Sequence, residues 1–266
     1  IVSCNVKDKV SVTSPDGNIQ LIINSKGILQ YAVTFSQDTI LNFSAIDIDL
    51  KGKEAFGNFN LIKAGATYVK ENSERMWGRN KEVVNEYNEV KVQLQDVETG
   101  MLLNLYARAY NNGVAFRYEF PEQDGPAEFE IAKENTQFAF TKDHILWRTT
   151  YKKVINPQEQ EFYEGHISDI NSKGFIGMPL VVKFNENLWG AITEANLTDW
   201  AGAFLKGSDT ADLTLYTYLS PYVDDSTVVV KRKTPAKSPW RTIMLDENPG
   251  KFLESDLIFN LNDPVA

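Results

Sequence analysis

Cysteine, histidine and long apolar runs are scarce in this sequence of 266 residues, and each scarcity excludes a class of protein. The single cysteine, Cys4, excludes an intrachain disulfide framework and a cysteine-rich zinc site. The two histidines, His144 and His166, do not have the spacing of a helical metal-binding pair. The longest apolar runs are far too short to cross a bilayer as a helix.

Positive charge is also under-represented. The sequence has 27 Lys and Arg against 36 Asp and Glu, which gives a net charge of −9 at pH 7. No basic run of five or more residues offsets this balance, so we expect no nucleic-acid partner. The hydrophobic fraction of 42% is enough for a sizeable core, and all-β chains of this length often form one domain.

The opening residues, IVSCN, place Cys4 where a bacterial lipoprotein carries its lipidated cysteine. The basic and apolar regions that precede such a cysteine are not in the sequence. Two interpretations of residues 1–10 therefore stay open. They are a leader that bears a lipid anchor at Cys4, or a leader with an incidental cysteine.

Apolar and polar residues alternate over many short segments, which is the pattern of β-strands. In VAFRYEF, for example, Val114, Phe116 and Tyr118 share one face of a strand while Arg117 lies on the other. Further segments of strand composition are QLIIN, LQYAVTF, NEVKVQLQ, LLNLYARAY, PLVVKF, LTLYTYL and PWRTIML.

Turn signals separate these segments. SPDGN at 14–18 predicts a turn, and NNG at 111–113 predicts a hairpin. The nearest approach to an amphipathic helix, SERMWGRNKEVVNEY, is interrupted by Gly78. No linker or fixed-period repeat divides the chain. We therefore predict one all-β domain over residues 11–266, built as a large two-sheet β-sandwich.

Sequence motifs for catalysis are missing: there is no nucleophile elbow, phosphate-binding loop, HExxH segment or EF-hand. A sugar epimerase would need His144 or His166 opposite a carboxylate, and no feature of the sequence selects such a pair. The tryptophans are candidates for stacking on sugar rings or for ordinary packing. They are Trp77, Trp147, Trp189, Trp200 and Trp240.

Glu194 stands out in the segment WGAITEANLTDW. On a strand it shares a face with Gly190 and Ile192, so a carboxylate ends an apolar row. Such a carboxylate must reach water, take up a proton or meet a cation. A strand that simply ends in solvent is the plainer interpretation.

Six segments in a fixed order resemble one family. They are SPDGNIQLII, KEVVNEYNEV, LLNLYARAYNNGVAFRYEFP, WGAITEANLTDWAG, SPWRTIML and FNLNDP. Together they resemble the N-terminal domain of glycoside hydrolase family 97, the calcium-dependent α-glucosidases and α-galactosidases of Gram-negative bacteria. The resemblance implies a β-super-sandwich like galactose mutarotase, with a catalytic (β/α)8 barrel after it. It also implies an exported protein, in the periplasm or anchored to the outer membrane.

The resemblance also implies a role for Glu194. In family members a glutamate in an E-A-x-L-x-D-[YW] segment reaches the active site and helps to hold a calcium ion. Here that residue is Glu194, followed by Ala195, Leu197, Asp199 and Trp200. The other calcium ligands and the catalytic acids belong to the barrel, so we expect no catalytic residue in this chain. We expect Glu194 to be balanced by calcium in the whole enzyme and by water in this chain.

The sequence stops at Ala266, where the connection to the barrel would begin. We expect the non-catalytic N-terminal domain of an exo-acting α-glycosidase, with its own barrel and an α-linked oligosaccharide as partners. A free-standing carbohydrate-binding or aldose-epimerase-like sandwich is the alternative, and a lipid-anchored structural module is a third possibility. Arg117, Trp240 and Arg241 are expected to be structural or interface residues.

Overall fold

A computed structural model describes residues 9–53, 56–75, 78–124, 128–210 and 212–263. Over these ranges the regular secondary structure is almost entirely β-strand, with two 3-10 helices at Ile167–Asp169 and Pro249–Leu253 and one helix, α1, at Leu257–Leu261. The first eleven strands are β1 Lys9–Thr13, β2 Ile19–Asn24, β3 Gln30–Phe35, β4 Asp38–Ala45, β5 Ile48–Leu50, β6 Phe59–Glu74, β7 Glu82–Asp96, β8 Leu102–Tyr110, β9 Gly113–Phe120, β10 Glu128–Glu134 and β11 Gln137–Ala139. The others are β12 Ile145–Arg148, β13 Thr150–Tyr151, β14 Tyr163–His166, β15 Phe175–Ile176, β16 Leu180–Asn185, β17 Leu188–Ala195, β18 Ala203–Gly207, β19 Thr214–Leu219, β20 Val230–Lys233, β21 Ala236–Lys237 and β22 Trp240–Asp246.

The strands form one large antiparallel sheet and three smaller ones. The large sheet has ten strands, in the order β14-β12-β16-β17-β22-β9-β8-β7-β6, with β21 paired to β9. The smaller sheets have the orders β1-β2-β3-β4, β20-β10-β5 and β11-β19-β18-β15-β13. Residues of all four sheets meet in one hydrophobic core. The predicted all-β sandwich is therefore confirmed, with one layer divided among the smaller sheets.

The alternating pattern decides which side chains enter this core. Phe116 and Tyr118 of β9 point inward, and the ring of Phe116 lies 4.5 Å from that of Tyr31 in the facing layer. The predicted strands are all present. The sequence analysis did not predict β1, which begins at Lys9, just ahead of the predicted domain start. The described part of SERMWGRNKEVVNEY contains the end of β6 and the start of β7, with no helix.

The opposite, outer face of the large sheet carries a second apolar cluster. It contains Tyr87, Tyr110 and Trp240 from three strands, and Leu257 and Leu261 of α1 pack on it. This short C-terminal helix escaped the sequence analysis because five residues are too few to show a helical period. No helix in the described ranges has the length and apolar character needed to span a membrane.

Gly113 shows why the NNG hairpin needs glycine. Its φ of +154° lies in a region that other residues rarely adopt. A Cβ there would lie 2.6 Å from the carbonyl oxygen of Ile243 and 2.9 Å from Leu257 Cδ2. The hairpin therefore fits closely between β22 and α1.

Truncation of a phenylalanine ring in the core should lower the free energy of unfolding much more than truncation of an exposed ring. Phe116 is 1% exposed, so Phe116→Ala should lower the free energy of unfolding by about 3–5 kcal/mol. Phe162 is 62% exposed, and Phe162→Ala should change it by less than about 0.5 kcal/mol. Urea unfolding followed by tryptophan fluorescence measures both. Equal losses would contradict the placement of Phe116 in the core.

Candidate functional site

Glu194 lies near the end of β17, on the inner face of the large sheet, directly opposite Arg241 of β22. Arg241 Nη1 donates a hydrogen bond to Glu194 Oε2 at 2.6 Å. The other carboxylate oxygen, Oε1, accepts the backbone N–H of Ala203 at 3.2 Å. The Glu194 side chain is still 14% exposed. The expectation that water alone balances Glu194 in this chain is therefore wrong, because a guanidinium is its partner.

Arg241 holds a second carboxylate at the same time. Its Nε and Nη2 donate to Glu134 Oε1 and Oε2 at 2.8 and 2.7 Å, which is a bidentate pair. Glu134, the last residue of β10, is fully buried and also accepts hydrogen bonds from the hydroxyls of Tyr118 and Thr136. One arginine thus joins Glu134 and Glu194 into a single cluster, which we call the Arg241 cluster.

The Arg241 cluster carries more negative than positive charge. Burial alone would raise the pKa of Glu134, but the Arg241 guanidinium and the donated hydrogen bonds hold it below its usual value. Burial opposes the charge of Arg241 too, yet the two carboxylates raise its pKa. Two carboxylates therefore share one guanidinium, and Glu194 is the member at the solvent edge.

The loop after Glu194 has an unusual backbone that ties it to the end of the chain. Asn196 and Asp199 have φ values of +55° and +50°, in the left-handed region. The Asn196 N–H donates to Asn262 Oδ1 at 2.9 Å, and its Nδ2 donates to Asp263 Oδ2 at 3.0 Å. The last described residues are thereby attached directly beside the segment that carries Glu194.

A surface cavity of about 400 Å³ lies next to this loop. Its wall includes Asp199, Trp200 and Tyr222, and Arg232 closes one side with an ion pair to Asp199 at 3.3 Å. Glu194 is not among the residues that form the wall. The cavity is therefore formed in part by residues that follow Glu194 in sequence, and not by Glu194 itself.

Within the described ranges, neither histidine opposes a carboxylate across a cavity. His144 is buried against Phe184, with ring centroids 5.1 Å apart, and burial lowers its pKa. His166 is exposed beside Asp143 at 4.0 Å. A second surface cavity, beside Thr150 and Tyr163, contains neither of them.

The tryptophans serve mainly as packing. Trp240 is buried in the outer cluster, Trp200 packs edge-on against Tyr118, and Trp147 lies 5.1 Å from Trp189. Trp77 and Cys4 lie outside the described residues, so lipidation of Cys4 stays a prediction.

A complete metal site is not formed by the residues that the structure describes. They contain no cluster of three or more His, Cys, Asp or Glu side chains able to hold an ion. Sequence reasoning selected Glu194 but missed Glu134, and it treated Arg241 as structural without finding either partner. The one available signal was a charged residue inside the apolar strand segment WRTIML.

Comparison with solved proteins assigns this sandwich to a class of domains found in glycoside hydrolases. A glycoside hydrolase family 97 enzyme from Pseudoalteromonas sp. strain K8, solved with panose and with acarbose, matches with a TM-score of 0.87 and 30% identity, over 96% of this chain and 38% of that one. A family 36 α-galactosidase from Geobacillus stearothermophilus shares the fold, with a TM-score of 0.53 and 10% identity over 92% of this chain and 40% of that one.

The chain belongs to glycoside hydrolase family 97. The family model described as "Glycosyl-hydrolase 97 N-terminal" matches residues 12–264. A retaining α-galactosidase from Bacteroides thetaiotaomicron is 23% identical over 99% of this chain. The chain spans only 42% of that relative.

Removal of Arg241 should destabilise the fold because it leaves Glu134 buried without a counterion. We expect Arg241→Met to lower the free energy of unfolding by about 3–5 kcal/mol in urea titrations. Arg232→Met, which breaks the exposed pair with Asp199, serves as the matched control and should cost less than about 1 kcal/mol. Similar losses in the two variants would mean that the Arg241 cluster is not a buried unit.

Acid should weaken the fold partly through Glu134. Because its folded-state pKa is lowered, Glu134 contributes stability that is complete above the unfolded-state pKa of about 4.3 and is lost as the pH falls through the folded-state value. Glu134→Gln should therefore have a shallower loss of stability below about pH 4.3. Glu186→Gln, at an exposed site, should keep the slope of the parent chain. Urea unfolding midpoints, measured for the three proteins across this pH range, provide the test. If the curve of midpoint against pH for Glu134→Gln stays parallel to that of the parent, the prediction is wrong.

Proposed function

We propose that this chain is the non-catalytic N-terminal domain of an exo-acting α-glycosidase, and that Glu194 supplies a carboxylate to a calcium ion shared with the catalytic domain. One observation carries the proposal: the Arg241 cluster has surplus negative charge, and Glu194 is its exposed end. Family membership and the greater length of the relatives support the existence of a catalytic domain next to this one.

The donor chemistry of Glu194 fits calcium, a hard cation that prefers six to eight oxygen ligands. An ionised carboxylate has about four lone-pair positions, and the hydrogen bonds from Arg241 and Ala203 use two of them. Arg241 fixes the orientation of the carboxylate, as partners behind a metal ligand commonly do. Since the described residues form no further ligand cluster, the catalytic domain has to supply the remaining carboxylates.

When bound, the calcium ion would polarise and orient the glycoside. The residues of this chain would hold one carboxylate rigidly at the boundary between the two domains. Hydrolysis itself needs a pair of carboxylates that face one glycosidic bond. In the described part of the chain, Asp199 is the acid on the wall of the cavity beside this loop, and Arg232 is its partner. We propose that this pair belongs to the catalytic domain.

The relatives indicate the class of substrate. One is named a retaining α-galactosidase, and the Pseudoalteromonas enzyme was solved with panose and acarbose. We propose an α-linked oligosaccharide as the substrate of the whole enzyme. We expect the 266-residue chain alone not to hydrolyse p-nitrophenyl α-glucoside or α-galactoside, and the glycosidase that contains it to hydrolyse at least one. Turnover by the chain alone would falsify the non-catalytic role.

Glu194→Gln separates the calcium role from a folding role. In the whole glycosidase we expect this change to lower calcium affinity by at least about tenfold, because one anionic ligand is lost. The isolated chain should stay folded, since Arg241 keeps its bidentate pair with Glu134. Isothermal titration with calcium and circular dichroism measure the two effects. Glu186→Gln is the control, and equal calcium affinity in both variants would remove Glu194 from the site.

A further inference from the structure

Arg117 is a buried cation that lacks an acceptor. It lies on β9 and points to the outer face of the large sheet, away from the Arg241 cluster, and it is only 8% exposed. Its guanidinium makes no hydrogen bond or ion pair with any residue in the described ranges, and its Nε is buried without a partner. The guanidinium carbon lies 4.4 Å from the ring centre of Trp240, so the contact that holds it is a cation–π contact.

Arg108 provides the contrast on the same face. Its guanidinium lies on Trp240 as well, at 4.5 Å, but its Nε donates to Glu89 at 2.7 Å. Glu89 therefore pairs with Arg108, and no carboxylate in the described ranges forms an ion pair with Arg117. Burial and the charge of Arg108 lower the pKa of Arg117, while the carboxylates of Asp263, Glu119 and Glu89, none of which bonds to it, act in the opposite direction. A buried guanidinium that no carboxylate contacts directly is unfavourable, and an incoming carboxylate in direct contact would relieve that cost.

The last described residues pack on the same face of the large sheet as this cation. Asp263, the last described residue, is held by Asn196 and acts electrostatically on Arg117 without bonding to it. Just before it, Leu257 and Leu261 pack on the cluster that contains Trp240. The relatives are more than twice as long as this chain, which agrees with a further domain in the whole protein.

We propose that Arg117, seated on Trp240, is a docking point between this sandwich and the catalytic domain, which supplies a carboxylate side chain to its guanidinium. The inference rests on the proposed function, because it requires a catalytic domain after Asp263. A guanidinium offers two parallel N–H groups to a carboxylate, so the contact fixes orientation as well as proximity. This docking point lies on the opposite face of the sheet from Glu194.

The test compares Arg117→Met in the 266-residue chain and in the whole glycosidase. In the chain alone the change should leave the melting temperature equal or higher, because an unpaired buried charge is removed. In the whole protein it should lower the unfolding transition of the sandwich by about 4 °C or more, because the carboxylate loses its partner. Calorimetry resolves both. A shift of the same sign and size in the two proteins would overturn the proposal.

Arg108→Met is the matched control, since Arg108 contacts the same tryptophan but already pairs with Glu89. It should lower the melting temperature in both proteins. Arg117→Lys keeps the positive charge but not the two parallel N–H groups of the guanidinium. In the whole protein its melting temperature should therefore lie between those of Arg117→Met and the parent. If Arg117→Met fails to fold, Arg117→Lys and Arg117→Gln give the same comparison. If these variants of the whole protein keep the full melting temperature of the parent, the docking role is contradicted.

Two further measurements identify the occupant. Size-exclusion chromatography of the chain should show the same monomeric elution for the parent and Arg117→Met. A dimer that Arg117→Met dissociates would assign the face to a second copy and overturn the proposal. Acetate should not raise the melting temperature of the parent whole protein, and an increase that Arg117→Met abolishes would assign the site to a free anion.

The assays also keep the two proposals apart. If the whole protein hydrolyses an α-glycoside, and Arg117→Met shifts the melting temperature equally in the 266-residue chain and in the whole protein, only the docking inference fails. If the whole protein hydrolyses no α-glycoside, the proposed function fails whatever Arg117 does.

Discussion

The site depends on one buried guanidinium that is shared between two carboxylates. Arg241 pairs with Glu134 through two nitrogens and with Glu194 through the third. Burial of three charged groups is costly unless each has partners, and here the hydroxyls of Tyr118 and Thr136 complete the coordination of Glu134. Because Glu134 accepts hydrogen bonds from two of the three guanidinium nitrogens of Arg241, the charge of Glu194 is only partly neutralised. This incomplete neutralisation supports the proposed cation site at the edge of the sandwich.

The same cluster also fixes where that edge lies. Glu134 belongs to the small β20-β10-β5 sheet, whereas Glu194 and Arg241 lie on neighbouring strands of the large sheet. The ion pair therefore joins the two layers at the point where β17 ends. Replacement by apolar groups can be neutral for stability in such clusters, so stability alone does not explain the arrangement. The proposed placement of a metal ligand at a domain boundary would explain it, because a metal ligand has to be held in one orientation.

The strands were predictable and the charge network was not, for a physical reason. Alternation along VAFRYEF or LLNLYARAY is local, and the side chains of each strand face the core as their spacing requires. The partners of Arg241 are 47 and 107 residues away in sequence, and only the order of the strands brings them together. Glu194 could be selected because it interrupts an apolar row. No residue near Glu194 in sequence indicates that its partner is an arginine and not water.

The two faces of the large sheet carry charges of opposite sign that their neighbours neutralise only in part. Glu194 leaves a negative charge on the inner edge, and Arg117 leaves a positive charge on the outer face. Asn196 and Asp263, which bind each other, link the loop after Glu194 to the segment where the described chain ends. A domain attached beyond Asp263 can therefore meet both charges only by contacting the sandwich on two sides of this junction. Contacts on two sides restrict rotation about a junction more strongly than either would alone, which would hold a shared metal ligand in register with the catalytic acids.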